Sequence, residues 1–443
     1  MKKEIRELKS YLLLWATQSF SSLGSAMTSF ALVLWLYQTS GSALQTALMS
    51  VCSYAPYVVM SIFAGTLSDR WDKKRTMLVC DLLAAATTVV MLMLYKTGRL
   101  VPWHMYVLNA LNGLMNTVQR PASDVAATLL APPEYYQKTS GLRSFSSSLN
   151  TILTPVIASA IYAFGGMDVI IAIDLFTFAA AFLVLLFFIH IPQPPKQEQQ
   201  QEKLLDAAMA GLKWLKQNPL ILNLIFFLAW INLVASAFDA TLPAYLLSVP
   251  NGGETVLGLV QSCAGIATLI GSVIVTLSPE PKNRVRMVCI TLMISMSTEN
   301  FMLALTRSPV LWCIGSVLGW LSIPLMNANL DVIMRTTIPP EMQGRVFSCR
   351  NSLQFFTIPL GFLLGGWMID DVFEPLMALN SPNGLAAQLF GTGKGSGAAA
   401  FLLVLGFTGV AVCIWYWMKL RKYTWRENDK QQKMTFEAGN GLE

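Results

Sequence analysis

Twelve apolar runs, each at least 20 residues long, divide the chain and constrain its fold more than any other feature. A helix needs about 20 mostly apolar residues to cross the hydrocarbon core of a membrane. Charged residues make up 13% of the chain, against roughly 25% in soluble domains, and the mean hydropathy is +0.51. We therefore expect an all-α polytopic membrane protein with twelve transmembrane helices, over residues 11–37, 44–66, 76–95, 101–123, 141–164, 168–190, 219–247, 255–277, 285–305, 309–333, 344–369 and 398–418.

Lysine and arginine lie mainly in the loops on one side of the predicted membrane. An even number of spans places both termini on that side, and 27 of the 31 cations fall there, all except Lys96, Arg99, Arg307 and Lys394. Loops that face the cytoplasm carry an excess of such cations. The sequence thus predicts a multi-pass protein of the cell membrane with both termini in the cytoplasm. This distribution also explains the net charge of +6 without a nucleic-acid partner.

The sequence repeats itself across a break in the middle of the chain. Prolines within 192–195 and a polar run over 196–202 follow the sixth apolar run, as in a linker. Several residues of the first part recur 207 positions later, namely Pro102, Asp124, Pro132-Pro133-Glu134 and Arg143 as Pro309, Asp331, Pro339-Pro340-Glu341 and Arg350. Because each copy holds six spans, we expect parallel repeats with a central site at their interface. The predicted organisation is a six-helix half over 1–190, a linker over 191–218, a second six-helix half over 219–418 and a cytoplasmic tail over 419–443.

A short amphipathic segment lies at the end of the linker. Apolar residues recur there at helical spacing against lysines, namely Leu204, Leu205, Ala208, Leu212 and Leu215. This pattern predicts a helix lying on the membrane surface. An ordinary linker helix is the alternative.

A charged segment between the second and third runs carries the most specific motif. It reads Gly65-Thr66-Leu67-Ser68-Asp69-Arg70-Trp71-Asp72-Lys73-Lys74-Arg75. It resembles the loop between helices 2 and 3 of the major facilitator superfamily, whose pattern contains a glycine, an Asp-Arg pair, a second glycine and then basic residues. Asp72 replaces the second glycine, as in the branch that exports macrolides and the siderophore enterobactin. The segment 211–219 also resembles the start of the seventh helix in that branch, whereas the fifth run keeps only Pro155 of the drug-antiporter signature.

The resemblance implies the twelve-helix major facilitator fold and transport by rocking of one half on the other. It also implies a conformational latch at the cytoplasmic ends of helices 2 and 3. There Gly65 would permit a close contact, and Asp69, Arg70 and Arg75 would hold the second half. Three further charged residues are candidates for this network, namely Asp81, Asp124 and Arg143.

Polar residues recur at helical spacing within three of the apolar runs. Polar groups in hydrocarbon are costly unless they face a partner or a water-filled cavity. In the superfamily the first helix of each three-helix unit lines the central cavity, which makes these residues candidates for its wall. The alternative is that they bond across packed helices. The candidates are Gln18, Ser22 and Ser25 in the first run, Asn109, Asn112 and Asn116 in the fourth, and Asn232 and Ser236 in the seventh.

Four charged residues inside apolar runs are candidates for proton coupling. An ionised carboxylate is costly within a membrane, so Asp174, Asp239 and Glu299 are expected to favour the protonated form there. Asp239 is the first candidate because its helix is expected to line the cavity, and a structural role is the alternative for Asp174. Arg120 resembles an arginine that responds to a nearby acid in proton-coupled exporters. Its alternative role is to reach lipid headgroups from the end of its helix.

The sequence contains no motif for catalysis, metal binding or nucleotide binding. The seven cysteines show no metal or redox spacing, the two histidines suit interfacial positions, and no phosphate-binding glycine-rich loop occurs. We therefore expect no cofactor, no metal and no enzymatic activity. The predicted function is that of a monomeric, proton-coupled exporter of a lipophilic or amphipathic small molecule, such as a macrolide-like drug or a siderophore. The alternatives are a proton-coupled uptake symporter of a small metabolite and a non-transporting sensor with the same fold.

Overall fold

The computed structural model describes residues 8–132, 135–192, 204–379 and 384–421, and the side chains within them except at 61–70, 137, 140, 204–208, 340, 341, 344 and 348. Helices joined by short turns make up this part of the chain, and it contains no strand. The helices of the first half are α1 (Lys9–Ser40), α2 (Ala43–Arg70), α3 (Lys73–Lys96), α4 (Pro102–Leu130) and α5 (Tyr136–Phe187).

The long helix α5 contains two of the predicted spans. Gly166 interrupts it with φ 66° and ψ −171°. A residue with a Cβ rarely adopts this conformation, so a glycine is needed where the chain turns back. The break falls between the predicted spans 141–164 and 168–190, which are the two arms of α5.

The second half follows the linker helix α6 (Leu204–Gln217). Its helices are α7 (Pro219–Leu246), α8 (Glu254–Leu277), α9 (Arg284–Leu305), α10 (Pro309–Leu321), α11 (Ile323–Thr337), α12 (Pro340–Phe355), α13 (Thr357–Trp367), a π-helical turn (Met368–Phe373), α14 (Glu374–Ala378), α15 (Leu385–Phe390) and α16 (Ser396–Leu420). Two predicted spans are thus built from several pieces. The tenth breaks at Ser322 because Pro324 has no N–H to continue the helical bonding.

The helices confirm the twelve predicted spans. Ten of the described helical segments are long and apolar enough to cross a membrane. One of these segments covers both arms of α5, and the 29-residue helix α4 supplies the fourth span. The eleventh span extends to Ala378 instead of ending at 369. Asp370 and Asp371 end the apolar run in the sequence, but the helix continues through them because the Asp370 carboxylate is bound by the start of α2.

The two halves contact each other along two pairs of helices. The helix α2 lies along α13, and the first arm of α5 lies along α8. A Cβ at Gly366 would lie 2.6 Å from Leu44 Cα, so the glycine allows α13 and α2 to approach closely. We call the end of the bundle with Lys9 and Leu420 the terminal end. The opposite end, with the turn at residues 41–42, is the far end.

The linker helix α6 docks on the second half. Gly211 lies against the backbone of Arg345, where a Cβ would be 2.8 Å from the carbonyl oxygen. Leu215 is fully buried, while Met209 and Leu212 remain exposed. The sequence pattern alone suggested a helix lying on the membrane surface. The structure places the buried face of α6 against α12, and the position of its exposed apolar side chains at the membrane surface stays a prediction.

Candidate substrate cavity

A cavity of about 390 Å3 lies between the two halves. Both halves supply aromatic side chains to it: Tyr57 of α2 faces Phe355 of α12 with ring centroids 6.3 Å apart. Tyr54 stacks on Phe362 of α13 at 6.0 Å. The complete lining is Ser53, Tyr54, Tyr57, Val58, Gly113, Asn116, Thr117, Arg120, Phe355 and Ile358. An apolar body with a few polar groups would fit such a wall.

Two opposite charges flank this cavity. Arg120 lines it from α4, and Asp239 lies on α7 with an exposed side chain between two buried neighbours. The charges of Arg120 and Asp239 both act on the Tyr54 hydroxyl. Neither charge has an ion-pair partner among the described residues. Asp239 is therefore available to a proton, and Arg120 is available to an anionic or polar group of a ligand.

The asparagine stripe of α4 divides between the cavity and helix packing. Asn116 is exposed and faces the cavity. Asn109 is buried and donates to Met105 O of its own helix at 3.0 Å. Asn112 accepts a hydrogen bond of 3.0 Å from Thr87 of α3. The alternative of helix packing thus describes Asn109 and Asn112, because these turns of α4 face the protein interior.

The polar residues of α7 divide in the same way. Asn232 donates to Gln354 O at 3.3 Å, and Ser236 is buried. A Cβ at Gly361 of α13 would lie 2.8 Å from Ser236 Cβ, so this turn is in close helix contact. Asp239, one turn further along, is the member of this stripe with an exposed side chain.

A second cavity, of about 290 Å3, lies within the first half towards the terminal end. Gln18 and Ser22 of α1 line it, and Asn150 of α5 donates a hydrogen bond to Ser22. Arg143 forms an ion pair with Asp124 at its edge. Two of the residues predicted for the cavity wall and two predicted for the latch network therefore meet here.

The internal repeat is visible in this charge network. Asp331 and Arg350 occupy the positions that correspond to Asp124 and Arg143. Arg350 lies within electrostatic range of Asp331 and donates to Gln354 Oε1 at 3.0 Å. The first half thus has a direct ion pair where the second half has a longer-range attraction.

Asp81 occupies a different environment from the other latch candidates. Its carboxylate accepts hydrogen bonds from Gln18 at 3.4 Å and from Gln119 at 2.6 Å, which joins α3 to α1 and α4. Arg75 has an exposed side chain near the start of α3. Its backbone N–H donates to Asp72 Oδ1 at 2.7 Å, so the aspartate that departs from the family pattern caps this helix. The side chains of Asp69 and Arg70, and the surroundings of Gly65, lie outside the described residues.

The other two acids are enclosed by neighbouring helices. Asp174 is 4% exposed and accepts hydrogen bonds from Ser25 and Thr28 of α1, each at 2.9 Å. Ser25, a predicted cavity residue, thus contributes to the contact between α1 and α5. Glu299 is buried on α9, where its Oε1 accepts from Trp320 at 3.1 Å. Glu299 and Asp239 lie within electrostatic range of each other.

Sequence reasoning missed the aromatic part of the cavity wall. Tyr54, Tyr57 and Phe355 lie in apolar runs, where an aromatic residue can face lipid, core or cavity. Nothing in their spacing separates these three environments. Their placement depends on how α2 and α12 are rotated against each other.

The geometry agrees with three comparisons with known proteins. The Major Facilitator Superfamily model matches residues 14–298. Macrolide efflux protein A of Streptococcus pyogenes is 25% identical over 375 residues, which are 83% of this chain and 90% of that protein. The enterobactin exporter EntS of Escherichia coli O1:K1 / APEC is 23% identical over 352 residues, 77% of each chain. These relatives confirm the resemblance to the branch with macrolide and enterobactin exporters.

Solved structures show the same fold. A bacterial homologue of the lysosomal transporter Spinster, in an inward-facing and unoccupied conformation, matches with a TM-score of 0.69 and 13% identity over 95% of this chain and 99% of that chain. A mutant of the nucleoside transporter NupG matches with a TM-score of 0.67 and 15% identity over 92% of this chain and 98% of that chain. The chain belongs to the major facilitator superfamily and is a multi-pass membrane transporter rather than an enzyme.

Proposed function

We propose that the chain is a proton-coupled exporter of lipophilic or amphipathic compounds that works by alternating access. The observation that carries this proposal is the aromatic cavity between the halves, flanked by the charges of Arg120 and Asp239, which have no ion-pair partner within the described part of the chain. The aromatic wall suits an apolar substrate. An acid that is exposed to water can take up a proton from the water or release one to it. The names of the relatives, a macrolide efflux protein and an enterobactin exporter, support export of bulky small molecules.

Asp239 is the proposed proton carrier. The residue is exposed at the protein surface although its helix is mostly buried. Glu299 is the second candidate, because it lies within electrostatic range of Asp239 but is enclosed by Trp320 and its neighbours. Asp174 is the least suited of the three, since two hydroxyl groups of α1 already satisfy its carboxylate. Arg120 would respond to a change in the charge of Asp239, because both charges act on the Tyr54 hydroxyl.

The substrate would contact Asn116 and the aromatic residues of the central cavity. Its polar end would reach the second cavity, where Gln18 and Ser22 lie. We propose that the protein acts as a monomer in the cell membrane with both termini in the cytoplasm, as the distribution of cations favours. The halves over 1–190 and 219–418 would rock on each other. The latch of Gly65, Asp69, Arg70 and Arg75 would close the terminal end when the far end opens.

Accumulation of a fluorescent macrolide in efflux-deficient cells tests the proposal. Cells that express the chain should accumulate less dye than empty cells, and a protonophore should abolish the difference. Asp239→Asn should also abolish it at equal expression. Asp168→Asn is the matched control, because Asp168 is a half-exposed acid paired with Lys96 at the far end.

Each outcome tests a different part of the proposal. A reduction that persists with the protonophore would contradict proton coupling. A reduction that persists in Asp239→Asn would remove Asp239 as the proton carrier and direct attention to Glu299. Equal accumulation in all cells would contradict export of this compound class, and the same strains would then be tested with enterobactin and for uptake.

A further inference from the structure

The turn between α1 and α2 presents two oppositely polarised helix ends to the second half. The helix α1 ends at Ser40, and Gly41 follows in a left-handed conformation with φ 63°. The helix α2 begins at Ala43 after the N-cap Ser42. The last turn of a helix carries partial negative charge, and the first turn carries partial positive charge. Both occur here within a few residues at the far end.

An acid of the second half meets the positive end. Asp370, in the π-helical turn, accepts a hydrogen bond from Ala43 N at 3.0 Å through Oδ1. Its Oδ2 accepts from Leu44 N at 2.9 Å and from Ser42 Oγ at 2.5 Å. Three donors of the first half therefore converge on one carboxylate of the second.

A cation of the second half meets the negative end. Lys394 Nζ donates to Gly41 O at 2.7 Å and lies 5.4 Å from the centroid of the Tyr37 ring. A Cβ at Gly41 would lie 2.5 Å from this ammonium group, so glycine leaves the space for the contact. The signs of both side chains are thus complementary to the helix ends that they hold.

The neighbouring contacts also join the halves at the far end. Tyr37 OH donates to Ala244 O at 3.0 Å and lies 2.6 Å from Ser248 Oγ. A transporter that works by alternating access must break such contacts whenever its far end opens. The ionised contacts at residues 41–44 are costly to lose, because hydrogen bonds to charged groups are about twice as strong as neutral ones.

We propose that Asp370 and Lys394 form a charge clamp on the turn between α1 and α2 and thereby set the equilibrium between the far-end-closed and far-end-open states. Both residues act by positioning the halves and do not touch the substrate cavity. The clamp requires no assumption about the substrate or the coupling ion. It would act equally in an exporter, a symporter or a sensor of this fold.

The π-helical turn and the residue after it provide matched controls. Three acids lie within five residues, and each has a different environment. Asp370 binds the first half, Asp371 is exposed, and Glu374 binds within the second half. Glu374 Oε1 accepts from Gly395 N at 2.9 Å and from Ala398 N at 3.3 Å, at the start of α16. Only Asp370 of these three should control the contact between the halves.

Hydrogen–deuterium exchange of the full chain in lipid nanodiscs tests the clamp. In Asp370→Asn, amides 43–46 should exchange at least about tenfold faster, and amides 244–248 should also exchange faster. Amides 11–19 and 142–150 near the terminal end should exchange more slowly, because opening of the far end closes the other. Lys394→Gln should produce the same pattern, and it tests the clamp independently if Asp370→Asn does not fold.

The slower exchange at the terminal end distinguishes a clamp from a local structural contact. Asp371→Asn should match the wild type throughout. Glu374→Gln should affect amides 395–399 without slowing exchange at 11–19. The proposal is wrong if both Asp370→Asn and Lys394→Gln change only the amides beside the substituted residue, or if Asp371→Asn has the same effect as Asp370→Asn.

Discussion

Ser25 Oγ donates a hydrogen bond of 2.9 Å to Asp174 Oδ1 and so connects α1 to the second arm of α5. Thr28 Oγ1 donates an equally short bond to the other carboxylate oxygen. A Cβ at Gly24 would lie 2.6 Å from Thr177 Oγ1, so the two helices are in close contact here. This relationship indicates a structural role for an acid that the sequence also offered as a proton carrier.

Substitutions at Asp174 should affect stability more than coupling. Asp174→Ala leaves the buried Thr28 hydroxyl and the more exposed Ser25 hydroxyl without their acceptor, and we expect a loss of about 1–3 kcal/mol in unfolding free energy. Asp174→Asn keeps one acceptor oxygen and should lose less. Melting of the purified variants measures the stability, and dye export per folded molecule measures the coupling. A well-folded Asp174→Asn protein without proton-dependent export would assign coupling to this residue instead.

Asn112 and Asn116 form a matched pair one turn apart on α4. Asn112→Ala removes one of two acceptors of the Thr87 hydroxyl, the other being Ala84 O at 2.7 Å, and should lower unfolding free energy by no more than about 0.5–1.5 kcal/mol, with export nearly unchanged. Asn116→Ala should leave the melting temperature unchanged and raise the KM for the exported dye, since Asn116 is exposed to the cavity. The opposite assignment of the two effects would contradict the orientation of α4.

Glu299 can be tested with two substitutions of different shape. Glu299→Gln retains an oxygen that can accept from Trp320 and Ser316, so the variant should fold and keep proton-dependent export. Glu299→Ala removes the acceptor of the Trp320 N–H, while the Ser316 hydroxyl keeps Val260 O at 3.1 Å, and the variant should have a lower melting temperature. Loss of proton dependence in a stable Glu299→Gln protein would show that Glu299 carries the proton.

The Tyr54 hydroxyl should contribute to coupling through its position near both charges. Tyr54→Phe keeps the ring that stacks on Phe362 but removes the hydroxyl. We expect proton-driven export to fall several-fold, up to about tenfold if roughly 1.4 kcal/mol of barrier lowering is lost. Tyr57→Phe, which also keeps its ring in the same cavity, is the control and should export as the wild type does. Equal effects of both substitutions would exclude a particular role for the Tyr54 hydroxyl.

The sequence predicts the fold of this protein far better than the environment of its polar residues. Length and hydropathy define each span locally, and the turn at Gly166 falls where the apolar runs separate. A polar stripe such as Asn109, Asn112 and Asn116 marks one face of α4 but does not specify which neighbour that face meets. Whether an asparagine of α4 packs against another helix or faces the cavity depends on contacts with α3, whose residues are remote from α4 in sequence.

Charged residues show the same limit. Asp370 ended an apolar run in the sequence and was not singled out, yet it accepts three hydrogen bonds from the first half. Asp81 was grouped with nearby cations, whereas its carboxylate binds Gln18 and Gln119 inside the first half. Their partners lie tens to hundreds of residues away, and only tertiary structure brings them together.

Substrate-linked proton movement in proteoliposomes tests the central claim most directly. Purified protein would be reconstituted with a pH-sensitive dye inside, and a macrolide would be added under an imposed proton gradient. The account predicts that the macrolide and protons move in opposite directions in the wild type and in Asp168→Asn, and that Asp239→Asn abolishes the linked proton movement. Macrolide transport without proton movement, or wild-type coupling in Asp239→Asn, would contradict it.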